Sequence, residues 1–556
     1  MFCISKIINF QSKTITRAAI LLFLFGFVSK LLALFRERLL SGRFGAGQES
    51  DIYFAAFRIP DFVFGIMIMG GLATVFLPVF SEYFKKSEED GWNLANNALN
   101  CFLVLLIVIC ALLAVFAPYL IKFIVPGFNQ ESRDLTISLT RIMFLSPILL
   151  GISSIFSGIL HYFNKFLIYS LAPVLYNLGI IIGILFFVPI FGLKGLAFGV
   201  ILGAVLHWII QIPAAKSSGY KYSFTFNFRD SGLVKIFKLV IPRTIGSAAY
   251  NVNLIIVTAI ASTLTIGSIS VLNYSNNLQY LPVGLVGLSF ALASFPVLSR
   301  AWVDKAKEKF IESFSLVFRQ VLFLMIPTSV LMFLLRAQIV RLILGTGQFG
   351  WMETRLTAAS LGLFCFGVFA ISLIPLLART FYSLHDTKTP VFIGLASVSL
   401  NIALSFLFVH LLEKGGVFYS FMIEILKLEG IKNISVVGLP MALSISGIFQ
   451  FFLLLVFLKK KMGDIRLKKI WQSFWKIFLS SLLAGFFTYF SLRLASGFIN
   501  MNTFSGVFMQ TIFGGAIGTL VYIFSSFFLG SPEIKSIWFS LLRRFSKNNN
   551  GTAEHS

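Results

Sequence analysis

The stretch Ala18–Phe35, AAILLFLFGFVSKLLALF, contains one charged residue, Lys30, among eighteen. Its length is close to the ~20 apolar residues that a helix needs to cross the hydrocarbon core of a bilayer. Similar stretches recur along the whole chain, and their apolar residues are continuous rather than alternating, which excludes a membrane β-barrel. The sequence therefore predicts an all-α, polytopic membrane protein.

The overall composition agrees with this fold class. Of the 556 residues, 57% are hydrophobic and 12% are charged. A net charge of +24 would suggest nucleic-acid binding in a soluble protein, but here the basic residues cluster in alternate loops, so no nucleic-acid partner is expected. The four cysteines lack a CxxC spacing and the five histidines form no ligand motif, so we predict neither a metal site nor a cofactor.

Counting apolar stretches between polar breaks predicts about fourteen transmembrane helices. They lie near residues 17–36, 52–80, 99–125, 134–160, 166–190, 193–214, 236–262, 268–298, 315–345, 356–383, 389–412, 435–458, 474–495 and 504–530.

The distribution of lysine and arginine predicts the orientation of these helices. The basic loops are 216–235, 300–309 and 459–469, and the tail 535–547 is also basic, whereas the loops at 263–268 and 496–503 carry no charge. Because cytoplasmic loops are enriched in Lys and Arg, we expect both termini to be cytoplasmic.

Two short sequence matches indicate an internal duplication. Pro78-Val79-Phe80-Ser81 recurs as Pro296-Val297-Leu298-Ser299, and Pro173-Val174 recurs as Pro390-Val391, at offsets that differ by one residue. Duplicated halves are typical of transporters that bind cargo between them. We therefore predict two pseudo-symmetric six-helix lobes, 1–232 and 233–469, followed by two additional helices in 470–530 and a basic tail, 531–556.

The loop 411–434 is longer than the others and has mixed charge around the apolar run Val417–Leu426. Two interpretations are open. It is either an interfacial helix on the outer face of the membrane or an external insertion without a membrane role.

Fixed charges occur within or beside the apolar stretches near the start of the chain. They are Lys30, Arg36, Asp51, Arg58 and Asp61. Because a charge in hydrocarbon costs about 2.5 kcal/mol or more, an ionisable residue in such a place is a functional candidate. Arg58 and Asp61 are i, i+3 neighbours that can pair on one helix face.

Polar residues also form stripes in the seventh and eighth predicted helices. Arg243, Ser247, Tyr250 and Asn251 share one face, as do Asn273, Asn276, Asn277 and Tyr280. Such faces point either into a watery cavity or onto a packed neighbouring helix, and Arg243 has the further alternative of snorkelling to the interface. An excess of Lys and Arg in a cavity favours an anionic cargo such as a phosphate. The chain has no nucleotide-binding loop and no nucleophile–base pair, so we predict a transporter rather than an enzyme.

Several blocks of the sequence resemble the MurJ/MviN lipid II flippases of the multidrug/oligosaccharidyl-lipid/polysaccharide exporter superfamily. The opening blocks are Ser29–Glu37, Phe44–Gly47, Asp51, Ala55–Pro60 and Phe76–Tyr83. The similarity continues through Pro126–Phe128, Asn164-Lys165, Pro173, Asn277–Pro282, Gly345–Phe349 and Asp386–Pro390, and covers about residues 15–460.

This resemblance implies a carrier in the bacterial cytoplasmic membrane that moves undecaprenyl-pyrophosphate-linked peptidoglycan precursor by alternating access. The family's cavity cations match Lys30, where arginine is usual, and Arg36, and its cavity acid matches Asp51. The pattern departs at Phe64 and Asn277, where the family has arginine. It also departs at Tyr280, which replaces a glutamate, and at Asp61, where asparagine is common.

The resulting hypothesis assigns Lys30, Arg36 and Arg243 to the pyrophosphate, and Asp51, Arg58 and Asp61 to forming or gating the site. Asn273, Asn277 and Tyr280 are further substrate-binding candidates, and the last two helices would hold the polyprenyl tail. The expected partners are the lipid-linked glycan and membrane lipids, with the protein a monomer, alone or together with the cell-wall synthesis machinery. Two rival functions are an exporter of another lipid-linked oligosaccharide or of drugs, and a non-transporting scaffold for cell-wall enzymes.

Overall fold

The computed structural model describes the backbone of residues 15–66, 73–501 and 503–534, and the side chains of 21–66, 75–240, 248–501 and 503–534. Helices account for almost all of this part of the chain, and it contains no β-strand. The predicted all-α fold class is confirmed.

The chain divides into two compact units, each of which is a helical bundle. The first comprises residues 1–271 and 343–353, and the second comprises 272–342 and 354–556. The helices up to the boundary are α1 Ile15–Phe44, α2 Gln48–Ala56, α3 Arg58–Phe64, α4 Ala73–Lys86, α5 Glu88–Ile124, α6 Gln130–Met143, α7 Leu145–Tyr162, α8 Phe166–Ile182, α9 Val188–Phe191, α10 Lys194–Ile209, α11 Gln211–Lys216, α12 Ser231–Ser262 and α13 Ser268–Pro282, which crosses it.

The remaining helices are α14 Ser289–Val303, α15 Lys307–Leu334, α16 Arg336–Ile343, α17 Trp351–Cys365, α18 Val368–Ser383, α19 Lys388–Lys414, α20 Val417–Leu426, α21 Gly438–Met462, α22 Leu467–Ser496 and α23 Phe504–Phe528. Two π-helical turns, Gly183–Phe187 and Val283–Leu288, join α8 to α9 and α13 to α14.

Ten helices in the described part of the chain are long and apolar enough to cross a membrane, or eleven if the bent pair α17 and α18 is one span. These eleven correspond to eleven of the predicted spans. The three other predictions, 17–36, 52–80 and 236–262, include residues outside the described set. The count of fourteen therefore stays a prediction.

Several helices begin at a side chain that accepts a hydrogen bond from the first turn. Asn129 accepts from the Ser132 N–H at 2.9 Å, and Asp230 accepts from the Leu233 N–H at 2.8 Å. Such caps satisfy backbone donors that have no partner within the helix. They fix the first residues of α6 and α12, a few residues before the apolar stretches predicted from the sequence.

Helices α8 and α10 pack at very short range through glycines. Gly179 on α8 and Gly183, the first residue of the π-helical turn that follows, face Gly203 and Gly199 on α10, and a Cβ added at Gly179 would lie 2.3 Å from the Gly203 Cα. Small residues four apart allow helix backbones to approach closely in a membrane. This contact fixes α8, which carries several residues of the candidate site.

In the second unit, the last two helices share its buried core. Ile477 and Ala484 of α22 and Tyr522 of α23 pack with residues of α15 and α18, and the Tyr522 hydroxyl donates to the Phe323 carbonyl at 2.6 Å. The segment after α23 is held by an ion pair of 2.6 Å between the buried Glu533 and Arg319 of α15. The helices of 470–530 are thus structural members of this unit.

The loop between α18 and α19 is tied to α21 through Asp386. Lys461 Nζ donates to Asp386 Oδ2 at 2.6 Å, and the Thr389 N–H and hydroxyl donate at 3.0 and 2.8 Å. Partial burial raises the pKa of Asp386, but these hydrogen bonds outweigh it and leave the pKa below its usual value. The ionised carboxylate therefore stabilises this loop.

The loop 411–434 contains one helix, α20, which one of the two interpretations of this loop requires. Its Met422 and Leu426 are buried, whereas Val417, Phe421 and Ile425 are exposed along one stripe. Arg355 of α17 donates to the carbonyls of Lys427 and Glu429 just after the helix. A membrane-interface position for α20 stays a prediction.

Candidate functional site

Lys30 and Asp61 line two adjoining pockets inside the first unit. The pocket at Lys30 has a volume of about 430 Å³, and the pocket at Asp61 has about 310 Å³. They share the lining residues Phe64, Leu150, Pro173 and His207. Ligand cavities typically have volumes of ~300–1,000 Å³, so the two together are large enough for a polar group.

Arg36 lies six residues beyond Lys30 on α1, and its side chain is already paired. Its Nη2 contacts Glu37 Oε1 at 2.6 Å, and its Nη1 donates to Asn177 Oδ1 at 3.2 Å. Asn177 in turn donates to the Ser29 hydroxyl at 3.2 Å, and Ser29 lines the Lys30 pocket. Arg36 therefore reaches the pocket through Asn177 and Ser29, with Glu37 offsetting its charge.

Asp51 has a structural environment. Its buried carboxylate accepts hydrogen bonds from the Gly267 N–H at 2.7 Å, the Ser270 N–H at 2.7 Å and the Ser270 hydroxyl at 2.6 Å. These donors lie at the start of α13, where a negative charge complements the free N–H groups and the helix dipole. Asp51 lines neither of the two pockets and instead caps α13.

Arg58 connects α3 to α12. Its Nε donates to the Thr258 hydroxyl at 2.7 Å, and it lies at the first position of α3, one turn from Asp61. The chain is also close to α12 at Gly65, just after the end of α3, where an added Cβ would lie 2.6 Å from Asn251 Nδ2. Arg58 is thus placed to hold α12 beside the helix that carries Asp61.

The other candidates are on α12 and α13. Arg243 lies in α12, but its side chain is outside the described residues. Asn273 is buried, whereas Asn277 and Tyr280 are exposed on α13 in the second unit. The stripe predicted for this helix therefore has an exposed part and a buried part.

A polar network around His207 was not predicted from the sequence. Ser153 lies 2.7 Å from His207 Nδ1, Gln211 Nε2 donates to the Ser153 hydroxyl at 2.7 Å, and Ser157 donates to Gln211 Oε1 at 3.0 Å. The signal was present as Ser153/Ser157 and His207/Gln211, two polar pairs spaced four residues apart in apolar helices. The network borders both pockets, because His207 lines each of them and Ser157 lines the one at Lys30.

The chemistry of this site is that of binding. Lys30 offers an ammonium group that can donate to phosphate oxygens, and Arg36, whose charge Glu37 offsets, is linked to the same pocket through Asn177 and Ser29. Among the described residues, no group of three or more His, Cys, Asp or Glu side chains is arranged to hold a metal ion. The arrangement fits the recognition of an anionic group inside a helical bundle.

Comparison with known sequences identifies similar proteins over most of the chain. A family model described as lipid II flippase MurJ matches residues 40–513. The chain is 29% identical over 392 residues to a probable lipid II flippase MurJ of Buchnera aphidicola subsp. Schizaphis graminum, covering 69% of this chain and 76% of that relative. It is 27% identical over 512 residues to the probable MurJ of Buchnera aphidicola subsp. Acyrthosiphon pisum, covering 90% and 95%.

Comparison with solved structures gives a consistent result. A structure of lipid II flippase MurJ in an inward closed conformation matches with a TM-score of 0.72 and 25% identity, covering 94% of this chain and 99% of the other. An inward-facing multidrug transporter of the MATE family matches with a TM-score of 0.64 and 16% identity, covering 79% and 95%. The second similarity concerns the fold alone.

Proposed function

Because the chain belongs to the lipid II flippase MurJ family, we propose that it moves lipid II from the inner to the outer leaflet of the bacterial cytoplasmic membrane. The family match over residues 40–513 is the observation that carries this proposal. The cargo, an undecaprenyl-pyrophosphate-linked peptidoglycan precursor, is both anionic and amphiphilic. It therefore needs a cationic site for the head group and an apolar surface for the chain.

The head-group site is supported by the two pockets in the first unit. Lys30 is exposed to its pocket and binds pyrophosphate oxygens. Arg36 adds a second cation, which can leave its ion pair with Glu37 and bind the cargo instead. Asp61 lines the adjoining pocket and is placed to accept hydrogen bonds from cargo hydroxyl or amide groups. Arg58 positions α3, and Arg243 on α12 contributes a further cation.

The exposed face of α13 contributes contacts of a different kind. Asn277 and Tyr280 are exposed one turn apart, and each can form hydrogen bonds without carrying charge. Asn273 is buried and has a structural role on the same helix. Neutral contacts here suit the sugar or peptide portion of the cargo better than its pyrophosphate.

An apolar groove in the second unit supports binding of the polyprenyl tail. Its volume is about 580 Å³, and it lies between α15, α17, α18 and α22. The lining is almost entirely apolar and includes Phe333, Phe366, Phe369, Phe474, Phe478 and Phe486. Helix α22 thus serves the tail together with its neighbours α15 and α18.

The same proposal includes orientation and assembly. We place both termini in the cytoplasm because the basic loops alternate with uncharged ones. The protein acts as a monomeric, non-enzymatic carrier that alternates between inward- and outward-open states and works beside the cell-wall synthesis machinery. Reporters fused after Lys309 and after Lys469 should give a cytoplasmic signal, and a reporter at Thr265 an external one.

The decisive experiment is depletion of the protein in its own host, followed by quantification of lipid-linked precursors in each leaflet. We expect lipid II to accumulate on the inner leaflet. Accumulation of a different lipid-linked glycan would identify the rival cargo, for which the missing charges at Phe64, Asn277 and Tyr280 are the supporting observation. Unchanged precursor levels would favour a scaffold and contradict transport.

A further inference from the structure

The segment that joins α11 to α12 has no helix or strand between Tyr220 and Phe226, yet α5 holds its backbone at several points. Three asparagine side chains on α5 provide these contacts. Asn96 donates to the Lys221 carbonyl at 3.0 Å, and Asn100 donates to the Thr225 carbonyl at 2.9 Å. Asn97 donates to the Asn227 carbonyl at 2.9 Å and accepts from the Asn227 N–H at 2.7 Å. Because a side-chain amide satisfies each of these backbone groups, specific hydrogen bonds hold this segment on α5.

The order of these contacts shows that the segment runs a short way along α5 and then turns back. The chain rises from Lys221, opposite Asn96, to Thr225, opposite Asn100, and returns to Asn227, opposite Asn97. Thr225 is therefore the point of the segment farthest along α5. Its neighbours Phe224 and Phe226 form the tip, and we call residues 221–228 the aromatic loop.

The aromatic loop exposes four rings at alternate positions. Tyr222 is 60% exposed, Phe224 79%, Phe226 44% and Phe228 47%. The Phe224 and Phe226 rings are stacked 6.4 Å apart at 7°, and Phe226 meets Phe228 edge to face at 5.1 Å. The phenylalanine rings thus form one contiguous apolar surface, while the odd-numbered residues contact α5.

This surface is continuous with the apolar outer face of α5. Val104, Ile107 and Val108 are exposed on that helix, and Val104 lies one turn, ~6 Å, beyond Asn100. Helix α5 is one of the spans long and apolar enough to cross a membrane, so we expect its exposed apolar residues to contact lipid. The tip at Phe224 and Phe226 therefore lies at the level where the lipid-facing surface begins.

Basic residues lie within the aromatic loop and near both of its ends. Lys216, Lys221 and Arg229 are all exposed. Aromatic rings next to lysine and arginine are typical of segments that lie at a bilayer surface, where the rings enter the interface and the cations meet anionic head groups. An uncharged partner surface would leave these cations without a complement.

We propose that the aromatic loop is a membrane anchor, in which Phe224 and Phe226 insert into the leaflet next to the basic loops and Asn96, Asn97 and Asn100 set their depth. The anchor holds the connection between α11 and α12 at a constant level in the bilayer. This inference goes beyond the cargo and holds for either membrane orientation, so its failure would leave the flippase proposal untouched.

The test measures the depth of the tip in a bilayer. A nitroxide is attached at Phe224→Cys in the full-length protein, with the four native cysteines replaced and the protein reconstituted in nanodiscs containing anionic lipid. We expect the ratio of accessibility to oxygen over a water-soluble nickel complex to be several-fold higher than at the control Glu88→Cys, an exposed position at the start of α5. Equal accessibility ratios at the two positions in nanodiscs would overturn the proposal. The proposal would fail in the same way if another protein, and not the bilayer, protected Phe224 in cells.

A second variant tests the asparagines. Asn100→Ala removes the contacts to the Thr225 carbonyl and to the Tyr222 hydroxyl, and leaves Phe224 and Phe226 unchanged. We expect the label at position 224 to become more mobile and its depth distribution to broaden, with no change at Glu88→Cys. An unchanged spectrum and depth at 224 would show that Asn100 does not position the tip.

Discussion

Replacing Asp51 separates a structural role from a role in cargo binding. In Asp51→Ala, the N–H groups of Gly267 and Ser270 lose their acceptor at a buried position, while the Ser270 hydroxyl keeps Ser50 as a partner at 2.8 Å. Hydrogen bonds to a charged group contribute about 1.5–3 kcal/mol each. Losing two of them therefore lowers the free energy of unfolding by about 3–6 kcal/mol, a large part of the ~5–15 kcal/mol of a typical native state.

Two matched variants predict a rank order for the loss of stability. Asp51→Asn retains one acceptor oxygen but places an amide NH₂ against backbone donors, so we expect a loss between those of Ala and wild type. Ser270→Ala removes only the hydroxyl donor, while the Ser270 N–H still contacts Asp51, so the loss should be that of one hydrogen bond to a charged group, about 1.5–3 kcal/mol.

The assay is unfolding of the purified protein in detergent, followed by intrinsic fluorescence, with lipid II flipping measured in parallel after the folded fraction is reconstituted in vesicles. We expect stability to decrease from wild type through Ser270→Ala and Asp51→Asn to Asp51→Ala. If Asp51→Ala unfolds like wild type but no longer flips cargo, the capping argument is wrong and Asp51 acts on the cargo directly.

Three further predictions concern other residues. Lys30→Ala should lower the flipping rate about tenfold or more, because a charged hydrogen bond is lost, while Lys30→Arg should be tolerated. Equal flipping rates for Lys30→Ala and wild type in reconstituted vesicles would contradict an anionic cargo. Arg243→Gln should abolish transport if Arg243 binds the head group, and normal transport would show that it only snorkels to the interface. The pKa of Asp386 is lowered from 3.8 in the folded protein, so the stabilising effect of this carboxylate is present above pH 3.8 and is lost as the pH falls through the folded value. The difference in stability between wild type and Asp386→Asn, measured by unfolding against pH, should therefore vanish at low pH. A difference that persists there would refute this assignment.

Some of the site was accessible from the sequence because each residue's type and its place in an apolar stretch were sufficient. Lys30 and Asp61 were predicted in this way, and the structure places both at pockets of the first unit. His207 was not predicted, because a single histidine in an apolar helix carries no signal by itself. Its significance comes from Ser153 and Gln211, and Ser153 lies on a different helix.

Asp51 and Arg36 show why partners limit inference from sequence. Both were assigned to a basic cavity as though their charges were available. Asp51 is engaged by donors more than two hundred residues away, and Arg36 by Glu37 and Asn177. The charge that a side chain presents to a cargo depends on such neighbours, which a local pattern does not reveal.

The sequence by itself determined that this chain is a helical membrane protein of the lipid II flippase family. Hydrophobic length and the placement of Lys and Arg are local properties, and the bilayer imposes them on any chain that crosses it. The tertiary structure decided which polar residues face a cavity, which cap a helix such as α13, and which hold the aromatic loop on α5. These outcomes depend on pairs of residues far apart in the chain, whose hydrogen bonds exist only once the helices have packed.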